Sequence, residues 1–130
     1  MYKYLVSLAL VVVCGCADLN TNAFRAEKLA ADTGVSSVHS FNAYYSMATN
    51  GASVAKIDEL NKTRDQIYDA SRKLSAVLSV TEAARLAYAT NSTPATESTL
   101  RTALSALSAN SGNITDVVAG AMAPYSPLTK

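Results

Sequence analysis

Leu60, Ile67 and Leu74 stand seven residues apart, and Tyr88 keeps the same register with Thr81 in the place between. A seven-residue apolar repeat puts its members along one line of an α-helix, so one face of this stretch is apolar and the other polar. Ile57, Ala70, Val77, Leu78 and Ala84 flank the line. The spacing predicts a helix from Val54 to about Ala89. Ser79-Val80-Thr81-Glu82 has the form of a capping box, which would split that helix near Ser79. The seam keeps its register across the site, which favours one continuous helix. A helix with a single apolar stripe must bury it against other elements, so the rest of the chain is read for partners.

Upstream, a helical period begins at Ala23. Phe24, Ala31, Val38 and Tyr45 recur every seven residues, and Val35, Phe41 and Ala48 widen the same face to about Thr49. Asn20, Thr21 and Asn22 are its candidate caps. Gly34 inside the stripe weakens the helix by about 1 kcal/mol and marks either a close helix approach or a kink. Asn50-Gly51 is a stop signal, and Ser53 caps the next helix. Downstream, Thr93 as cap with Pro94 in the first helical position is a strong start. The third stripe is Leu100, Leu104, Leu107, Ile114 and Val118, with Ala103, Val117 and Met122 beside it. Asn110-Ser111-Gly112-Asn113 is a soft spot within it, and whether the helix bends, breaks or runs on there stays open.

The expected fold is therefore all-α: an elongated antiparallel three-helix bundle with helices at about 20–49, 53–90 and 94–122. Short links force neighbouring helices antiparallel. At 1.5 Å per residue each helix is on the order of 40–55 Å long. The 130 residues suit one domain. The chain divides into a signal segment at 1–15, a tether at 16–22, the bundle at 23–123 and an extended tail at 124–130, where Pro124 and Pro127 exclude helix. Both cysteines, Cys14 and Cys16, precede the bundle, so its body is held by packing without an internal disulfide. The net charge is +1, and loss of Lys3 with the signal balances the body. That argues against nucleic acid as a partner.

The start of the chain says where it works. Lys3 and the free amine give a basic start, and Leu5–Val13 an apolar run broken by Ser7. The run is far short of the ~20 residues a spanning helix needs, and the layout is that of an export signal. Val13-Cys14-Gly15-Cys16 resembles the lipobox of bacterial lipoproteins: an aliphatic residue, a tolerant small position, Gly or Ala, then Cys. The resemblance covers residues 1–16. It implies cleavage after Gly15, diacylglycerol on the Cys16 thiol and an acyl group on the new amine. Ala17, not Asp, follows Cys16, which by the family's sorting rule implies the outer membrane, with the body in the periplasm. Three other readings stay open: Gly15-Cys16-Ala17 also fits a small-x-small cut that releases a soluble secreted protein, the run fits an uncut anchor, and Cys-Gly-Cys fits a thiol or metal pair.

Little in the body reads as chemistry. His39 is the only histidine, and Asp58, Glu59, Asp65 and Asp69 form the one acidic cluster. Asp65 and Asp69 share a helix face and suit calcium or an acid–base pair, yet Lys73 lies four after Asp69 as on a solvated face. Glu82–Arg85 and Glu97–Arg101 repeat that habit. No catalytic residue, metal site or cofactor is expected, apart from the lipid on Cys16. Phe41, Tyr44 and Tyr45 make the densest aromatic patch; an outward Tyr44 would be a partner contact, an inward one core. The expectation is a non-enzymatic interaction or assembly module of the envelope, bound to the membrane by its anchor and to an envelope protein or to itself. In general plan such a body resembles pilot and assembly lipoproteins and the small lipoproteins of phages or mobile elements. The alternatives are a bundle that carries or senses a small apolar molecule between its helices, and a soluble secreted helical protein.

Overall fold

A computed structural model describes residues 18–123. The expected signal at 1–15 with its cut after Gly15, the anchor Cys16 and the extended tail at 124–130 lie outside the described residues. Three helices succeed one another: α1, Leu19–Ala48; α2, Val54–Thr90; and α3, Pro94–Met122. They hold 30, 37 and 29 residues, which at 1.5 Å per residue is about 45, 55 and 45 Å.

α1 starts at Leu19, one residue from the expected start at about 20. Asp18 is its N-cap residue, at φ −50° and ψ 139° with no side-chain cap bond, and the candidate caps Asn20, Thr21 and Asn22 lie within the first turn. Of the segment at 16–22 read as a tether, residues 19–22 are helical. The physical reason is Leu19, which packs part-buried against the core and draws the helix back to include it. At the other end the Thr49 N–H and hydroxyl both donate to the Tyr45 carbonyl, and Gly51 takes the left-handed φ of 73° that turns the chain. The Ser53 hydroxyl accepts from the Lys56 N–H and opens α2.

α2 is continuous through Ser79. Thr81, which a break would have drawn into a cap, is instead fully buried; its hydroxyl donates to the Val77 carbonyl one turn back and reaches the Ala103 carbonyl of α3 at 3.3 Å. α3 opens with Thr93 and Pro94 in a reciprocal box, the Thr93 side chain accepting from the Thr96 N–H while the Thr96 hydroxyl accepts from the Thr93 N–H. At the soft spot Asn110–Asn113 the helix does not break: α3 runs through it. Leu107 and Ile114, both fully buried, hold the helix on either side, and Ser111 between them is buried as well.

The links are short and the helices alternate in direction. Cross-helix pairs Glu27–Arg85, Asn42–Tyr68 and Tyr45–Asn61 show it, since numbers rise along α1 as they fall along α2. Each helix packs on both others, which makes a three-helix bundle. The core forms two clusters. One gathers Ala23, Ala26, Ala30, Leu74, Leu100, Leu104, Leu107 and Ile114; the other gathers Phe41, Tyr44, Leu60, Ile67 and Val118.

The seams of α2 and α3 are those expected; that of α1 holds at Phe41, with Val38, Tyr45 and Ala48 part-buried beside it, and fails toward the start of the helix. Phe24 is 55% exposed and Val35 is 72% exposed. The buried line is Ala23, Ala26, Ala30, Gly34, Phe41 and Tyr44. Neighbouring residues on a helix point about 100° apart, so moving the seam from Phe24 to Ala23 rolls the helix by that angle. Opposite the small side chains stand leucines of α2 and α3, and large against small interdigitates. Gly34 shows how close the approach is: a Cβ there would lie 2.9 Å from Leu74 Cδ2. The glycine therefore marks a close approach within a helix that runs on through it.

Candidate functional site

The aromatic patch is core. Phe41 is wholly buried and Tyr44 is 6% exposed, so of the two readings of Tyr44 the structure has the inward one. The rings of Tyr44 and Tyr45 lie 6.0 and 6.1 Å from that of Phe41, tilted to it by 50° and 49°. Tyr45 is half-buried at the rim. Its hydroxyl donates to Asn61 Oδ1 at 2.6 Å, and the Arg64 guanidinium lies 5.1 Å from its ring. Both contacts tie α1 to α2, so Tyr45 is engaged within the bundle. Two of the three neighbouring aromatics lie inside because Phe41 and Tyr44 are three apart on one helix face.

The titratable candidates stay on the surface. His39 is exposed, as are Asp58, Glu59, Asp65 and Asp69. Among the described residues no three His, Cys, Asp or Glu side chains come together as metal ligands would. Asp69 pairs with Arg72 rather than with Lys73, and Glu59 with Lys56 at 2.9 Å. Glu97–Arg101 forms as the spacing implied. These are solvated i,i+3 and i,i+4 pairs, worth a few tenths of a kcal/mol each. One open hollow runs along the outer side of α3 between Pro94 and Ala109, lined by Glu97, Arg101, Thr102 and Ser105. It belongs to a single helix surface, unlike the interhelical cavity that a carrier of apolar molecules uses.

Arg85 is the residue that local spacing misplaced. It does not serve Glu82. Its Nε donates to both carboxylate oxygens of Glu27 at 3.1 Å, and Nη1 reaches Asn20 Oδ1 at 3.5 Å. The guanidinium carbon lies 5.4 Å from the centre of the Phe24 ring. The side chains are 14% and 12% exposed, so this pair is largely desolvated where the surface pairs are not. A partner 58 residues away leaves no short-range signal, and only the antiparallel register of α1 on α2 brings the two together.

No helix among the described residues is long and apolar enough to cross a membrane. No family model matches the chain, and neither curated proteins nor solved structures include a similar one.

Proposed function

We propose that this is an exported lipoprotein, held on a bacterial membrane by fatty chains on Cys16, whose bundle works by contact with other envelope proteins and not by catalysis. The observation that carries the reading is the order of Lys3, the apolar run Leu5–Val13 and Val13-Cys14-Gly15-Cys16. Each buried CH₂ contributes about 0.8 kcal/mol, so one chain holds marginally and several hold firmly. α1 begins three residues after Cys16. Three residues span at most about 10 Å, so an acylated Cys16 keeps the bundle close to the bilayer surface, where it reaches membrane-bound partners. Ala17 in place of Asp directs the reading toward the outer membrane.

The test is intact-mass measurement of the membrane fraction of cells that make the chain, beside a Cys16→Ser variant. The expected result is a chain starting at Cys16 with the added mass of diacylglycerol and one acyl group, and a Cys16→Ser product that leaves the membrane. An unmodified chain starting at Asp18 in the soluble fraction overturns the proposal and favours the soluble secreted protein.

A further inference from the structure

We propose that Asn50-Gly51, in the link between α1 and α2, is a self-modifying site at which the asparagine converts to aspartate and isoaspartate. The inference does not depend on the lipid anchor. The chemistry needs a side-chain amide next to a main-chain nitrogen that is free to move and to lose its proton.

The Gly51 nitrogen gives its proton to hydroxide and attacks Asn50 Cγ. A bond forms between them, the bond from Cγ to Nδ2 breaks, and the side-chain nitrogen leaves as ammonia. What remains is a cyclic imide. Water then adds to either of its carbonyls. Opening at Cγ gives an ordinary aspartate. Opening at the main-chain carbonyl gives isoaspartate, in which the chain runs through Cβ and Cγ and is one carbon longer. Water enters and ammonia departs, so the conversion needs no oxidant, reductant or other reactant.

The link is built in a way that permits this. Asn50 and Gly51 are both exposed, so water reaches them. Gly51 has its left-handed φ of 73°, and nothing stands within 4 Å of where a Cβ would be. Glycine leaves the attacking nitrogen unshielded, where any other residue sets a side chain beside it. The neighbouring N–H groups are engaged: those of Thr49, Asn50 and Ala52 donate to the carbonyls of Tyr45, Met47 and Thr49 at 3.0, 3.3 and 3.3 Å. Among the described residues no acceptor meets the Gly51 N–H. The nitrogen that must attack is thus the one the turn leaves without a bond.

The fold withholds the same reaction from the other asparagines. Apart from Asn91, they all lie within helices. In a helix interior the next N–H is directed along the axis to a carbonyl one turn back. Asn42, Asn61 and Asn110 therefore react only while their own turn is locally open. Asn91 ends α2 in extended backbone, but Ser92 follows it and places a side chain beside the nitrogen.

Peptide mapping by mass spectrometry decides the matter, on the full chain held in mildly alkaline buffer made with heavy-oxygen water. The expected result at Asn50 is loss of ammonia and uptake of one heavy oxygen, in two chromatographic forms, at least about tenfold faster than at Asn42, Asn61 or Asn110. Guanidinium chloride that unfolds the chain is expected to speed those helical sites at least about tenfold and Asn50 less than about threefold, because the turn already permits attack. Gly51→Ala is expected to slow Asn50 at least about fivefold. That variant is compared with wild type in denaturant as well, where the strain of alanine at this φ plays no part. An Asn50 that keeps its amide while the chain stays folded overturns the proposal. So does conversion to aspartate alone, which bypasses the imide, or an Asn50 that denaturant speeds as much as it speeds the helical sites.

Discussion

Arg85 carries the one charged pair, among the described residues, that links two helices away from solvent. Removing one partner strands the other charge in a poorly solvated place, and for a fully buried pair that costs about 3–5 kcal/mol. With side chains 14% and 12% exposed, Arg85→Ala is expected to cost about 2–3 kcal/mol in urea unfolding, and Arg85→Lys only somewhat less, because lysine cannot reproduce the planar guanidinium's contacts with carboxylate and ring. The double variant with Glu27→Ala is expected to fall short of the sum of the singles by about 1 kcal/mol or more; additive effects would show the pair to be idle. Thr81 is expected to behave differently. Its hydroxyl donates to carbonyls of helical turns, so Thr81→Val strands no partner and is expected to stay within about 1 kcal/mol of wild type. From sequence, Thr81 was legible as a seam position because its register is local. Arg85 was not, because Glu82 stood three residues away and Glu27 lay in another helix.

The glycines of the helices separate propensity from packing. Gly112 sits inside α3 with nothing within 4 Å of where a Cβ would stand. Gly112→Ala is therefore expected to raise stability by about 0.5–1 kcal/mol, read as a higher urea midpoint at unchanged slope. Gly34→Ala meets Leu74 Cδ2 at 2.9 Å. The same gain in propensity is then opposed by overpacking of about 1–3 kcal/mol, and the expected net is a loss of about 1 kcal/mol. A stabilising Gly34→Ala would mean that Leu74 has room to turn aside. The helix ends were readable in advance where a residue's own chemistry makes the cap, at Ser53 and at Thr93-Pro94. The beginning of α1 was not, since Leu19 extends the helix by what it packs on rather than by any capping preference. The soft spot at Asn110–Asn113 stayed helical for the same reason, with Leu107 and Ile114 buried either side.

For the molecule as a whole, the two core clusters differ in kind. One is built of leucines set against alanines and the other around Phe41, Tyr44 and Ile67. Phe41, wholly buried, is the largest fully buried side chain in the second. Phe41→Ala is expected to cost about 3–5 kcal/mol, a large part of the roughly 5–15 kcal/mol typical of a domain. At about 4–8 °C per kcal/mol for a small domain, its melting temperature should fall by at least about 12 °C. A smaller fall would place the mainstay of stability in the leucine–alanine cluster.

The amino-acid sequence by itself determined the number of helices, their direction, the two turns and the seams of α2 and α3. Each of these rests on spacing within one segment: a period of seven, a glycine after a helix, a proline at the start of one. Only the tertiary structure decided that the first half of α1 turns its alanines inward instead of Phe24, and with it the burial of Tyr44 and the meeting of Glu27 with Arg85. Alanine gives almost no hydropathic signal beside phenylalanine, so periodicity alone ran the stripe through Phe24. The choice of Ala23, Ala26 and Ala30 belongs to the leucines across from them, because a close-packed interior selects the face that fits its neighbours over the face that is most apolar.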